Sequence, residues 1–129
     1  MARVLVIDDD AFVRSMVSDV LEVGGHSVAT AEDGIRGLEM VAADRPDVVL
    51  LDVMMPGLDG FAVLAQLRAV DEEVHLPVVM LTACADDASQ WQSWTGGIDY
   101  FLAKPFDPDE LLRYLDYLFA GSGTALELG

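Results

Sequence analysis

The sequence predicts an α/β fold in which a doubly wound, five-stranded parallel sheet carries helices on both faces. Two features point to it: short apolar runs without polar alternation, and segments of helical period inserted between them. VLVI at residues 4–7 opens the series, and in the segment after it Val13, Met16, Val17, Val20 and Leu21 fall on one helical stripe. Asp10 stands where a helix cap belongs, and Gly24-Gly25 where that helix should stop. A weaker strand at 27–30 leads to a second helix striped by Ile35, Leu38, Val41 and Ala42. Pro46 precedes the third run, VVLL at 48–51. A helix over 60–70, a strand over 77–81, a helix over 86–95, the run YFLA at 100–103 and a helix over 108–119 opened by Asp107-Pro108 complete the pattern. Strands each followed by a helix imply parallel pairing with right-handed crossovers. No internal repeat is visible.

A chain of 129 residues fits one domain, and at this size folding buries roughly two thirds of the surface of the unfolded chain. The hydrophobic fraction of 53% is high, but the longest apolar runs are four to five residues, far short of the roughly 20 a membrane span needs. Buried strands account for them. Met1 and Arg3 lead straight into a strand-like run rather than into a leader segment, so a cytoplasmic location is expected. The single cysteine, Cys84, cannot form an internal disulfide and agrees with a reducing compartment. A formal charge of −16 argues against direct binding of nucleic acid or an anionic membrane, which would repel the domain. Residues 121–129 (GSGTALELG) break the helical pattern and read as a flexible tail, a linker or a cloning remnant, leaving 1–120 as the domain.

The chemistry is concentrated where the strands end. VLVI runs into Asp8, Asp9 and Asp10, VVLL into Asp52, VVML into Thr82, and YFLA into Lys104, the only lysine in the chain. In open α/β sheets ligands bind outside the carboxyl ends of strands, where strand order switches direction. With the order 2-1-3-4-5, strands one and three are neighbours and their carboxylates converge. Crowded carboxylates repel unless a cation joins them, and hard oxygen donors suit Mg²⁺. Lys104 would add a positive charge and Thr82 a hydroxyl, both suited to phosphoryl oxygens. A carboxylate can itself accept a phosphoryl group, and Asp52 is the expected nucleophile. Singly, each residue has a plainer reading: Asp10 a helix cap, Thr82 a strand residue, Lys104 a surface charge. Jointly, their placement at four strand ends favours a site.

The blocks VLVIDDD, LLDVMMPGLDG around Asp52, Thr82-Ala83 and GIDYFLAKPF with Lys104-Pro105 resemble the receiver domains of bacterial two-component response regulators, over residues 3–119 and without large insertions. The resemblance implies the flavodoxin-like version of the fold, with the order 2-1-3-4-5. It implies that Asp9 and Asp52 ligate Mg²⁺ together with the backbone carbonyl of Met54, while Asp8 acts partly through water. Asp52 would be phosphorylated by a sensor histidine kinase or a phosphotransfer protein, with Thr82 and Lys104 binding the phosphoryl oxygens. Lys104-Pro105 would be a cis peptide, and the turn at 57–60 would shape the loop after the site. The domain would catalyse only its own phosphotransfer and dephosphorylation, so it is not expected to be an enzyme in the ordinary sense. Switching would use Thr82 and the aromatic at 101, remodelling the face of the fourth helix, fifth strand and last helix to control a downstream protein or output domain.

Several positions depart from the family pattern. Position 101 is Phe101 where tyrosine is common, so no phenolic hydroxyl can act there. Met54 and Cys84 occupy positions that tune water access in this family, and neither orients a water well, which predicts slow self-dephosphorylation. The predicted helix over 86–95 carries Asp86, Asp87, Trp91 and Trp94 but no basic residue, which disfavours dimers built on basic-acidic pairs; its tryptophans are expected to pack in the core. His26 and His75 are expected to be solvated loop histidines. One rival reading is a Mg²⁺-dependent phosphatase, since Asp8 and Asp10 have the D-x-D spacing of haloacid-dehalogenase-like enzymes. Phe12 stands where that motif has Thr, however, and there is no room for a cap domain. The other rival is a phosphorylation-independent pseudo-receiver, against which the intact Asp9, Asp52, Thr82 and Lys104 set argues.

Overall fold

Consecutive apolar side chains in an extended strand point to opposite faces, so a run such as VLVI needs cover on both sides. The computed structural model provides that cover; it describes residues 2–53, 55, 57, 59–69, 76–82, 100–103 and 107–120. The elements are β1 (Arg3–Ile7), α1 (Ala11–Val23), β2 (Ser27–Ala31), α2 (Gly34–Ala43), β3 (Val48–Asp52), α3 (Gly60–Ala69), β4 (Val78–Thr82), β5 (Tyr100–Ala103) and α4 (Pro108–Ala120). All strand pairs are parallel, as the alternating pattern predicts, and the five strands lie in the order β2-β1-β3-β4-β5 that the family resemblance implies. The expected helix over 86–95, with Trp91 and Trp94, lies outside the described residues, as do His75 and the tail over 121–129.

The order explains the two layers. From β1 the chain moves outward to β2, then crosses back past β1 to β3, so crossovers of one hand place their helices on opposite faces. Leu5, Ile7, Val49, Leu51, Val78 and Met80 point to the face covered by α2 and α3, where Val41, Val63, Leu64 and Leu67 join them. Val4, Val6, Val48, Leu50, Val79, Leu81 and Leu102 point to the other, covered by Val17 and Leu21 of α1 and Leu111 and Leu115 of α4. Among the described residues no helix is long and apolar enough to cross a membrane.

Capping follows the sequence reading. The Asp10 carboxylate accepts from the amides of Phe12 and Val13, Gly24 closes α1 by donating to the Val20 carbonyl, and the Asp107 carboxylate accepts from the Asp109 amide at the start of α4. Asp33 and Asp59 serve α2 and α3 in the same way, accepting from Arg36 and Ala62.

Three expectations need correction. The buried stripe of α2 is Gly34, Gly37 and Val41, with Leu38 and Met40 partly covered, whereas Ala42 is exposed and Ile35 is 63% exposed. Counting apolar side chains misses glycines, and here they let the helix approach β1: a Cβ on Gly37 would lie 2.8 Å from Cγ1 of the buried Ile7. Pro77 lies just outside β4, since it has no amide to donate; its carbonyl still accepts from Val49 at 3.0 Å. His26 is half-buried rather than solvated, and its Nδ1 accepts from the Ala2 amide at 3.1 Å. The turn that ends α1 returns the chain beside the start of β1, which brings the ring to that amide.

Candidate functional site

Ile7 of β1 is in register with Leu51 of β3, so the next residues along the two strands, Asp8 and Asp52, emerge side by side at the carboxyl edge of the sheet. Asp9 follows at once. One oxygen from each of Asp8, Asp9 and Asp52 lies within 4.8 Å of the others. Asp8 is fully buried and Asp52 is 4% exposed, whereas Asp9 is exposed. Two buried negative charges about 5 Å apart repel by roughly 3 kcal/mol at an effective dielectric constant near 20, so the arrangement favours a cation. The donor set fits a hard divalent ion: three carboxylates, with no soft ligand among them.

The backbone around the cluster is tightly held. The Asp8 amide donates to the Ala31 carbonyl at 3.2 Å, and its Oδ1 accepts from the Asp10 amide at 2.9 Å. Beyond Asp52, the Val53 amide donates to Leu81 at 3.0 Å, and the Gly60 amide to Val53 at 3.0 Å, which ties the start of α3 to the end of β3. Gly60 sits so close that a Cβ there would lie 2.6 Å from the Asp52 carbonyl oxygen and 2.8 Å from Val53 Cα. Gly57, in the same loop, has φ +78°, a conformation that suits glycine. Among the described residues no buried side-chain nitrogen or oxygen lacks a hydrogen-bond partner.

The structure therefore brings together Asp8, Asp9 and Asp52 of the expected set. Thr82 ends β4, the strand next to β3, and pairs in register with Ala103 of β5; Phe101 of β5 pairs with Met80. Met54, Cys84, Lys104 and Pro105 lie outside the described residues. Asp10 does not join the cluster, because its carboxylate caps α1, and the D-x-D reading loses its second acid. Sequence reasoning missed Arg14, whose Nη1 donates to the Asp8 carbonyl at 2.7 Å. No local motif announces that contact, which spans six residues and the start of a helix.

A parallel sheet in this order, with an acidic crevice at the switch point between β1 and β3, defines a flavodoxin-like α/β domain built to act on a ligand at its carboxyl edge. Comparison with known proteins narrows the class. The family model for the response regulator receiver domain matches residues 4–116, and the chain belongs to that family, the phosphoacceptor modules of two-component signalling. It is 44% identical over 110 residues to the response regulator MprA of Mycobacterium avium, covering 85% of this chain and 47% of that protein. It is 41% identical over 112 residues to the DNA-binding dual master transcriptional regulator RpaA of a Synechocystis species, covering 87% and 46%. The chain thus spans about half the length of these curated relatives. Among solved structures, the chemotaxis response regulator CheY4 of Vibrio cholerae aligns with a TM-score of 0.83 at 35% identity, covering 91% of this chain and 98% of that one. NtrX from Brucella abortus aligns with a TM-score of 0.85 at 30% identity, covering 98% and 29%.

Proposed function

We propose that Asp52 accepts a phosphoryl group from the phosphohistidine of a sensor histidine kinase or phosphotransfer protein, with Mg²⁺ held by Asp8, Asp9 and Asp52, and that the modified domain controls a downstream partner. The observation that carries this reading is the convergence of those three carboxylates within 4.8 Å at the ends of β1 and β3. In the transfer, a carboxylate oxygen of Asp52 bonds to phosphorus while the bond from phosphorus to imidazole nitrogen breaks, and the imidazole leaves with the electron pair. When bound, Mg²⁺ would offset the negative charge that otherwise opposes the approach of a phosphoryl group to a carboxylate. The backbone of Asp52, fixed between β4 and Gly60, holds the acceptor in place. Thr82 is assigned to the phosphoryl oxygens because it ends β4, the strand next to the one that carries Asp52, and Lys104 because the sequence puts the single lysine of the chain directly after the run YFLA.

The domain is read as a regulator that acts on itself, without turnover of a separate substrate, and as a cytoplasmic protein. Its signal is read as passing through the face of the helix expected over 86–95, β5 and α4, with Thr82 and Phe101 as the moving parts. The charge of −16 supports assigning any DNA contact to an output segment or another protein rather than to this domain. Met54 and Cys84 predict a long-lived phosphoryl group. Replacing Met54→Asn should shorten that lifetime, and an unchanged lifetime would remove the idea.

Incubation with Mg²⁺ and acetyl phosphate, followed by intact-mass measurement, tests the core of the proposal. The wild type should gain one phosphate and Asp52→Asn none. No gain by the wild type, together with no binding of Mg²⁺, would favour a phosphorylation-independent pseudo-receiver.

A further inference from the structure

Asp8 lies one residue past the end of β1, where regular strand pairing stops, yet it is fully buried. Besides the bonds to Ala31 and Asp10, its carbonyl oxygen accepts from Arg14 Nη1 at 2.7 Å. That contact is the shortest of the three and is charge-assisted. Arg14 is itself anchored. Its amide donates to the Asp10 carbonyl at 3.0 Å, so the guanidinium reaches back from the first turns of α1.

The group it grips is the peptide that joins Asp8 to Asp9. Because the carbonyl of Asp8 and the amide of Asp9 share one rigid plane, fixing that oxygen constrains the directions in which both side chains leave the backbone. We propose that Arg14 is a positioning residue for the carboxylate cluster, holding the Asp8-Asp9 peptide so that both acids converge with Asp52 on a divalent cation. The inference rests on the reading of that cluster as a Mg²⁺ site. It also carries a sign. The positive charge of Arg14 on its own repels a cation, so removing it would tighten Mg²⁺ binding if charge were its main contribution. Loss of orientation acts the other way, and groups that orient metal ligands are commonly worth about 10- to 100-fold in affinity.

Titration calorimetry with Mg²⁺ alone on wild type, Arg14→Met and Ser18→Ala separates these effects, with circular dichroism confirming that each folds. Arg14→Met should weaken Mg²⁺ binding about tenfold. Ser18→Ala removes only the bond within α1 from the Ser18 hydroxyl to the Arg14 carbonyl, 2.7 Å long, and should leave Mg²⁺ affinity unchanged. Unchanged or tighter binding by Arg14→Met, or equal weakening by Ser18→Ala, would overturn the proposal. Should Arg14→Met not fold, Arg14→Gln is measured against the same criteria. Failure of the wild type itself to bind Mg²⁺ would instead overturn the reading of the cluster.

Discussion

Asp8, Asp9 and Asp10 are chemically identical neighbours with three different roles, and the backbone decides which is which. Asp8 continues β1 and is buried, Asp9 faces solvent at the rim of the cluster, and Asp10 turns its carboxylate to the first amides of α1. Asp10→Ala should therefore lower stability by about 1 kcal/mol, the usual value of a helix cap, and leave Mg²⁺ affinity intact. Asp9→Ala should do the reverse. If Asp10→Ala abolished Mg²⁺ binding while Asp9→Ala did not, the D-x-D assignment would return. Gly60 poses a similar choice between fold and site. The atoms a Cβ would meet, the Asp52 carbonyl oxygen and Val53 Cα, are both main chain, so no flexible side chain can yield. Gly60→Ala should destabilise by about 1–3 kcal/mol as the strand end shifts, and slow phosphate gain from acetyl phosphate. A variant with wild-type melting and wild-type phosphorylation would show that the loop absorbs the methyl group.

Elements were legible in the sequence to the extent that side chains alone define them. The strands fully covered on both faces, such as β3, read directly as apolar runs, and α1 read correctly because Val17 and Leu21 mark its buried stripe. The carboxylate cluster was legible for the same reason: the runs end abruptly in acids, and strand order alone brings two of those ends together. α2 was misread because its close contact with β1 is made by glycines, which carry no hydrophobic signal. This yields a test at the level of the helix. Ile35→Ala, at a residue 63% exposed, should change stability by less than about 0.5 kcal/mol. Gly37→Ala should destabilise, even though alanine favours helix by about 1 kcal/mol over glycine, because the added Cβ meets Ile7 in a close-packed layer. The apolar stripe as read from side chains alone demands the opposite ranking, so comparing the two melting temperatures decides between them. Arg14 was invisible for a different reason: its contact runs between a helix side chain and a strand-end carbonyl, and exists only once β1 and α1 are folded together.

For the molecule as a whole, charge and site make separable contributions. With a net charge of −16 the folded domain repels itself, and any salt should raise its melting temperature by screening. A specific Mg²⁺ site adds a term that screening cannot supply, because an ion bound only to the native state stabilises it by mass action. At a concentration one hundred times the dissociation constant that term is about 2.7 kcal/mol, a rise in melting temperature of roughly 10 °C for a domain of this size. The sign reverses for a variant of the cluster. Asp9→Asn removes one charge from a crowded acidic group, so without Mg²⁺ it should melt at or above the wild-type temperature, while its response to Mg²⁺ should fall to that given by NaCl at matched ionic strength. Thermal melts of both proteins in MgCl₂ and in matched NaCl therefore form a four-way comparison. If NaCl reproduces the wild-type rise, or Asp9→Asn retains the full Mg²⁺ response, the ion acts only as general screening and the three carboxylates are not its site.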